Sequence, residues 1–191
     1  MQIGKTTVVA AGVLVACLVA RPARAQGQGQ APGQDVMRGD VGIAYNVLHD
    51  SNLQRIFPAG FTLSLAGDTT RTLRIVGEFS GSYKTVTVAT ATSIAVDVQS
   101  YMGGLRFAPA GKANNSPFLE VLAGDVRTSE TLIGSGIVGA ASNAGGLELG
   151  GGLDVKASPH VLIRGQVDYR LVHGGDRQIR IAFGIAIPFN R

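Results

Sequence analysis

The residues best suited to acid–base chemistry are histidines that stand close to carboxylates. His49 is followed by Asp50 and Ser51, and His173 precedes Asp176 by three positions. A histidine held by an acid can activate a hydroxyl or a water as a nucleophile. However, the three histidines of the chain have no metal-ligand spacing, and such residues are common in polar loops. We therefore predict that the protein is not an enzyme, with catalysis through His49 or His173 kept as an alternative.

Other site chemistries find little support in the sequence. The run Gly150–Gly152 lies inside an alternating pattern with no helix after it, unlike a phosphate-binding loop. Cys17 is the only cysteine, which excludes a disulfide within the chain and a multi-cysteine metal site. The basic side chains form no cluster interleaved with aromatic residues, so nucleic acid is not an expected partner. We predict no cofactor and no metal.

The N-terminus has the pattern of a cleavable secretory signal in residues 1–25. Lys5 precedes an apolar segment over 6–20, and Ala23 and Ala25 form an A-x-A cleavage site. Without this segment the chain keeps 14 basic and 13 acidic side chains. An alternative is a lipoprotein signal, in which Cys17 after Leu14-Val15-Ala16 becomes lipidated. Residues 26–38 are rich in Gln and Gly and predict a flexible leader before one domain over 39–191.

The C-terminal segment alternates between apolar and polar residues in two runs. In a β-strand, side chains alternate between two faces, so each run predicts a strand with one apolar and one polar face. The apolar positions are Val161, Ile163, Val167, Tyr169 and Leu171, then Ile179, Ile181, Phe183, Ile185, Ile187 and Phe189. The polar positions include Arg164, Gln166, Asp168, Arg170, Gln178 and Arg180. A soluble sandwich would bury the apolar face, whereas a membrane barrel would turn it to lipid.

The same reasoning predicts eight strands and no long helix. Their approximate ranges are 40–48, 59–68, 72–83, 93–107, 117–128, 145–157, 160–172 and 177–189. The parity of the fourth strand changes near 101–104, which predicts a bulge there. The segment 129–144 predicts a long loop, and 157–160 predicts a tight turn. Long and short connections thus alternate as they do in outer-membrane barrels, except that 108–116 is longer than a usual periplasmic turn.

Three segments resemble those of the small eight-stranded outer-membrane β-barrel proteins, the OmpA/OmpX-like transmembrane barrel group. They are Tyr101–Phe107 (YMGGLRF), Gly150–Lys156 (GGGLDVK) and Phe183–Phe189 (FGIAIPF). The last also resembles the signal read by the barrel-assembly machinery, with Gly184, Ile187 and Phe189 at its key positions. The sequence departs from that signal at Ala182 and in the two residues after Phe189. The resemblance implies an all-β, eight-stranded antiparallel up-and-down transmembrane barrel in the bacterial outer membrane.

In such a barrel the polar faces enclose a lumen just wide enough for side chains. We predict a filled polar interior without a wide pore, since charges of both signs are present and can pair. The predicted lumen network comprises Arg74, Glu78, Asp97, Glu148, Asp154, Lys156, Arg164, Asp168, Arg170 and Arg180, together with Gln99 and Gln166. The expected partners are outer-membrane lipid and the barrel-assembly machinery, and no surface ligand can be named.

Besides a lipid-modifying activity through His49 or His173, two functions remain open at this point. The first is a non-enzymatic outer-membrane barrel with a structural or surface-interaction role through its external loops. The second is a soluble or lipid-anchored, lipocalin-like barrel that binds a small apolar ligand inside. The two hypotheses place the apolar face on opposite sides of the barrel wall. The resemblance favours the first.

Overall fold

The computed structural model describes residues 38–89, 92–109, 114–133 and 138–190, which form eight β-strands. The strands are β1 (Arg38–Asp50), β2 (Arg55–Asp68), β3 (Leu73–Ala89), β4 (Thr92–Phe107), β5 (Asn115–Ile133), β6 (Val138–Ser158), β7 (Val161–Val172) and β8 (Asp176–Asn190). No helix among these residues has the length and apolar character needed to cross a membrane. The predicted signal peptide, its cleavage residues Ala23 and Ala25, Cys17 and all of the leader but Arg38 lie outside the described residues.

The strands close into an antiparallel up-and-down barrel. Each strand pairs with the next in sequence, and β8 pairs with β1. A row of register partners starts at Phe189 on β8, passes once around the barrel and returns to β8 at Ile179, ten residues away. An offset of this size tilts the strands by roughly 45° from the barrel axis. Closure leaves no open edge in the part of the wall where all eight strands pair.

All eight predicted strands are present, but several are longer than predicted at the end of the barrel opposite the two described termini. The segment 129–144, predicted as a long loop, instead continues β5 to Ile133 and begins β6 at Val138. The bulge predicted near 101–104 is also wrong. β4 keeps an unbroken register with β5 from Ser93 to Phe107, and the register with β3 shifts only between Thr87 and Ala89. The β-branched and small residues at these strand ends are compatible with either strand or loop. Whether they form strand therefore depends on their pairing with the neighbouring chain segment.

The alternation predicted for β7 and β8 is confirmed, with the apolar residues on the outside. Phe183 is 66% exposed and Ile181 58% exposed, whereas Arg180 on the other face of β8 is 1% exposed. Similar outward apolar residues occur on every strand: Val41, Ile43, Leu63, Leu65, Ile75, Leu105, Leu119, Val121, Leu149, Leu153, Ile163, Val167, Ile185 and Ile187. We call this outward set the apolar belt. The barrel is therefore inverted relative to a water-soluble protein.

The apolar belt has the height of a bilayer core. On β8 it runs from Ile179 to Phe189. With a rise of ~3.3 Å per residue and a tilt near 45°, this length spans about 24 Å along the barrel axis. Outer-membrane barrels carry an apolar band about 25 Å tall. The belt therefore matches the hydrocarbon thickness that such a barrel must cross.

Four strands extend beyond the belt at the end opposite the two described termini. Tyr83 is the last residue of β3 that pairs with β2, and β3 continues beyond it. Gly146 is the first residue of β6 that pairs with β7, and β6 begins before it. These ends of β3, β4, β5 and β6 stay paired with one another. We call them the upper wall. It stands above a lower rim formed by β1, β2, β7 and β8.

Candidate functional site: the sealed lumen and the lipid-facing belt

The lumen near the termini is crossed by ion pairs between distant strands. Arg164 on β7 forms a two-pronged contact with Asp154, from Nε to Oδ1 at 2.7 Å and from Nη2 to Oδ2 at 2.8 Å. Its Nη2 also lies 3.0 Å from Asp40 Oδ1 on β1. Asp40 in turn accepts a hydrogen bond from Arg74 Nη1 at 2.8 Å. Two-pronged arginine–carboxylate pairs fix geometry as well as charge, so these contacts hold β1, β3, β6 and β7 in one arrangement.

The centre of the lumen is organised around Arg180. Its Nη2 lies 2.7 Å from Asp168 Oδ2, 2.9 Å from Glu148 Oε1 and 2.5 Å from Glu78 Oε1. Glu148 uses its other oxygen to accept a 2.8 Å hydrogen bond from Arg170 Nε. All five side chains are buried. Buried charges are tolerated only when they are paired and hydrogen-bonded. Most of these five charged side chains have both an ion-pair partner and a hydrogen bond.

A single aromatic ring supports the positive groups of the lower lumen. Phe118 is 3% exposed, and its ring centroid lies 4.4 Å from Arg106 Cζ and 5.3 Å from Arg164 Cζ. The ring rests against Gly152, where a Cβ would collide with it. Arg106 Nε donates to Glu120 Oε2 at 2.8 Å. The glycine on β6 therefore makes the space in which the ring can face two guanidinium groups.

Seven of the ten predicted lumen residues are buried and brought into this network. They are Glu78, Glu148, Asp154, Arg164, Asp168, Arg170 and Arg180. Gln166 joins them, donating to Glu120 Oε1 at 2.6 Å. Arg74 takes part from the rim, with its side chain 28% exposed. Lys156 has inward parity but lies exposed near the end of β6 and contacts no carboxylate in the described structure.

The prediction for Asp97 is wrong, and that for Gln99 fails with it. On β4 the buried side chains are Val96, Val98 and Ser100, so Asp97 and Gln99 share the outward face with Tyr101. Above the belt the outer face meets water and the inner face packs on apolar neighbours. The polarity of the two faces therefore reverses along one regular strand. In the sequence this reversal was interpreted as a bulge.

Sequence reasoning missed several members of the network. They are Asp40, Asp50, Arg106, Glu120 and Gln178, all of them buried. Glu120 stands between Phe118 and Leu122 on one face, in a strand whose other face carries Leu119 and Val121. Apolar residues on both faces concealed the parity of β5. Its position opposite Arg106 in the register with β4 would have identified it.

The prediction of a polar interior is only partly correct, because part of the lumen is apolar. A buried apolar cluster fills it toward the end opposite the termini, and includes Leu48, Phe57, Val96, Val98, Val126 and Val172. Leu122 and Met102 extend this cluster downward beside the charged network, and Val76 and Ala66 continue it to the level of Asp40. A cavity of about 10 Å³ beside Ser64 and Arg164 has room for one water molecule. Ion pairs below and apolar side chains above thus leave the lumen closed.

Aromatic side chains mark the two borders of the belt. The upper group consists of Tyr45, Phe61, Phe79, Tyr101 and Tyr169 on five different strands. Within it, the Phe79 and Tyr101 rings stack at 4.8 Å between centroids, and Phe61 meets Phe79 edge-on at 5.4 Å. The lower border carries Phe107 and Phe189, both exposed. Aromatic girdles at these two levels are typical of barrels that cross a bilayer.

The three residues of the resembled assembly signal lie together at the seam between β8 and β1. Gly184 passes so close to the Ile43 carbonyl oxygen that a Cβ would overlap it. Ile187 and Phe189 point outward, and the Phe189 ring covers Gly39 on β1. The seam is thus closed by a glycine that lets the backbones approach and a ring that covers the facing glycine.

His49 and Asp50, considered together for catalysis, point to opposite sides of the barrel wall. His49 points outward, whereas the neighbouring Asp50 points into the barrel. Asp50 Oδ1 accepts from the backbone N–H groups of Asn52 and Leu53, and its Oδ2 accepts from Gln178. Its role is therefore to hold the β1–β2 turn.

One carboxylate group has spacing that a metal could use. Oxygens of Glu78, Glu120 and Glu148 lie within 4.8 Å of one another. However, Arg180 already contacts Glu78 and Glu148, and Arg106 contacts Glu120. These guanidinium groups occupy the place of a cation, so the donor set does not fit a metal site.

Comparison with known proteins supports the fold. No family model matches the sequence, and no curated protein matches it. The structure is similar to Ail, the attachment invasion locus protein of Yersinia pestis, solved with the heparin analogue sucrose octasulfate, with a TM-score of 0.61 and 16% identity over 80% of this chain and 99% of that one. It is also similar to Neisserial surface protein A (TM-score 0.55, 15% identity, 80% and 97% covered) and to a major outer membrane protein of Thermus thermophilus (0.53, 12%, 80% and 99%). The closed wall, the outward apolar belt and these likenesses show that the chain has the fold of the small eight-stranded outer-membrane β-barrels.

Proposed function

We propose that the protein is an integral barrel of the bacterial outer membrane, without enzymatic activity, that acts through its exposed external end. The observation that carries this proposal is the pairing of an apolar belt outside with a charged network inside. In water, so many exposed large apolar residues would form a surface far above the few hundred Å² that soluble monomers expose. In a bilayer the same surface is the stable one.

The location of the polar groups argues against the lipocalin-like alternative. A soluble barrel that holds an apolar ligand needs Ile181, Phe183 and Ile185 inside and the charges of β7 outside. These three residues are exposed, and Arg164 and Asp168 are buried. Reversal of the faces would require a one-residue slip of every strand. The cavity beside Ser64 and Arg164, at about 10 Å³, is far too small for such a ligand.

The filled lumen supports a structural or surface-contact role rather than transport. Buried ion pairs cross it near the termini and at its centre, and the apolar cluster closes it at the other end. Ions would have to displace both layers. The similarity to Ail and to Neisserial surface protein A, whose names denote attachment and surface location, agrees with a role at the cell surface.

Export and assembly complete the proposal. Residues 1–25 would direct export and be removed after Ala25, which leaves a mature chain free of cysteine. The barrel-assembly machinery would read Gly184, Ile187 and Phe189, and outer-membrane lipid would cover the belt. With the termini in the periplasm, the upper wall stands outside the cell.

Fractionation of the cell envelope, with gels of boiled and unboiled protein, tests this assignment. We expect the protein in the outer-membrane fraction, with a shift in mobility on boiling that marks a detergent-resistant closed barrel. In a planar lipid bilayer the purified protein should give no steady open-channel current. Recovery from the soluble periplasm without a mobility shift would refute the membrane assignment, and a stable conductance would refute the sealed lumen.

A further inference from the structure

Exposed basic side chains lie at the end of the barrel that holds the two described termini, which we call the terminal end. Arg38 begins β1, Arg71 lies in the turn between β2 and β3, and Lys156 lies near the end of β6. All three are exposed. None of them forms an ion pair with a carboxylate in the described part of the chain. We call these three side chains the basic collar.

The basic collar lies at the border of the apolar belt. Arg38 pairs with the residue directly beyond Phe189, where the belt ends on β8. Lys156 follows Val155, the last large apolar residue on the outer face of β6. Arg71 lies in the short turn that joins β2 to β3. In a bilayer the hydrocarbon ends where the belt ends, so the basic collar lies at the level of the lipid headgroups.

The excess of positive charge is confined to the terminal end. At the opposite end, the exposed and half-buried bases and acids among the described residues are equal in number. The bases are Arg55, Lys84, Arg127 and Arg177, and the acids are Asp97, Asp125, Glu130 and Asp176. At the terminal end, the partly exposed acid Asp68 is already paired with Arg74. The positive charges of the basic collar are therefore not offset by neighbouring acids of the described structure.

The buried acids of the terminal end are also occupied. Asp154 Oδ1 accepts a hydrogen bond from Arg164 Nε at 2.7 Å, and Asp40 Oδ2 accepts one from Arg74 Nη1 at 2.8 Å. The basic collar is thus not needed to neutralise the lumen. Lysine and arginine at the edge of an apolar surface lay their stems along it and extend the charged group into the interface. The natural partner of these charges is therefore an anion outside the protein.

The three cations are distributed around the barrel, which restricts the kind of anion that can reach them. β7 and β8 separate β1 from β6 on one side, and β4 and β5 separate the β2–β3 turn from β6 on the other. A single extended polymer or peptide would have to follow most of the circumference to contact all three. Separate small anions that surround the barrel can contact each of them independently. Phospholipid headgroups form such a ring, and both guanidinium and ammonium groups bind phosphate.

Taking the position in the membrane from the proposed function, we propose that the basic collar binds the phosphate groups of anionic phospholipids in the leaflet that faces the periplasm. Arg38, Arg71 and Lys156 contact separate headgroups. The contacts select anionic lipids over zwitterionic lipids around the terminal end. They also fix the depth of the barrel, because the belt and the headgroup contacts meet at one level.

The test uses the mature barrel in lipid nanodiscs of phosphatidylcholine alone and of phosphatidylcholine mixed with phosphatidylglycerol. Spin-labelled lipids of both kinds report which lipid associates with the barrel. We expect phosphatidylglycerol to associate about threefold to fivefold more strongly, the effect of a basic residue near an anionic lipid surface. NMR signals of the amides at 69–72 and 156–160 should shift as phosphatidylglycerol is added, and high salt should reverse the shifts.

Two variants with the same loss of charge separate the collar from general attraction. R71Q/K156Q should lose most of the lipid preference and the shifts at these two segments. R127Q/R177Q removes two positive charges at the opposite end and should keep the shifts at the terminal end. Equal shifts at both ends of the parent barrel, or unchanged shifts in R71Q/K156Q, would overturn the proposal.

Soluble anions test whether the partner is a lipid. Inorganic phosphate or soluble peptidoglycan fragments, added to barrels in phosphatidylcholine alone, should leave the collar signals unchanged. Saturable binding of either at the basic collar would replace the lipid by that partner and refute the proposal. Each variant is first shown to be folded by its shift on boiling, so loss of the lipid preference alone would leave the membrane assignment standing.

Discussion

Arg180 on β8 and Glu148 on β6 form a buried ion pair across the lumen, with Nη2 2.9 Å from Oε1. β7 lies between these strands, so the pair joins two strands that are not neighbours in the sheet. Arg180 also contacts Asp168 on β7 and Glu78 on β3. One guanidinium group thus ties four strands together across the lumen, in addition to the nearest-neighbour hydrogen bonds of the wall.

Removal of this guanidinium should destabilise the folded barrel strongly. R180M keeps the length of the side chain but leaves Glu148, Asp168 and Glu78 with less positive charge in a closed lumen. Breaking a buried pair in this way costs about 3–5 kcal/mol. We expect a lower urea midpoint for R180M refolded in lipid vesicles. R177M, on the exposed outer face of the same strand, should lie within about 0.5 kcal/mol of the parent, and equal losses in the two variants would contradict the role of the network.

The reversed polarity of β4 can be read by cysteine labelling in intact cells. Under the proposed cleavage after Ala25 the mature chain has no cysteine, since Cys17 is the only one. We expect D97C to react rapidly with a membrane-impermeant maleimide, because Asp97 is on the outer face above the belt. V98C should stay unlabelled, because Val98 is 2% exposed in the apolar cluster. Labelling of V98C in preference to D97C would restore the parity suggested by the sequence.

Close backbone approach predicts which glycines tolerate a methyl group. In G124A the new Cβ would overlap the Tyr101 carbonyl oxygen, so β4 and β5 would have to separate, at a cost of about 1–3 kcal/mol. Gly77 faces outward, and a Cβ added there would have no heavy atom within 4 Å beyond its chain neighbours. G77A should therefore be neutral or slightly stabilising, by up to about 1 kcal/mol. Thermal or urea unfolding of the two refolded variants compares them directly, and equal stability would count against the close contact.

The Phe189 ring should contribute more to barrel assembly than to contact with lipid. F189A removes the ring that covers Gly39 at the seam, and it removes the aromatic residue of the resembled assembly signal. F183A removes an equally large ring from the same face of β8, where it is 66% exposed. We expect F189A to reduce the amount of heat-modifiable barrel in the outer membrane, with unassembled protein in the periplasm. The amount should be near normal for F183A, and equal defects would assign the effect to lost apolar surface.

Where a strand lies mostly within the belt, its sequence was sufficient to predict its faces. Most positions of β7 and β8 alternate, because lipid on one side and the charged lumen on the other favour opposite polarities, although Val172, Ala182 and Ala186 are apolar residues on the inner face. β4 and β5 extend past the belt, and there the outside is water while the inside is an apolar cluster. Val96 therefore points into the barrel and Asp97 points outward, the reverse of the prediction. No local property of either residue indicates the height along the barrel at which this reversal begins.

The sequence by itself determined the strand count, the apolar belt and the identity of most buried charges, because a period of two is imposed locally by backbone geometry. Only the tertiary structure decided the partners of those charges, such as Arg180 with Glu148 and Arg164 with Asp40. These contacts depend on the offset around the closed wall, which brings residues of non-neighbouring strands to one level. Only the tertiary structure likewise showed that β3 pairs with β4 beyond Tyr83, where its pairing with β2 ends, since pairing depends on both strands together.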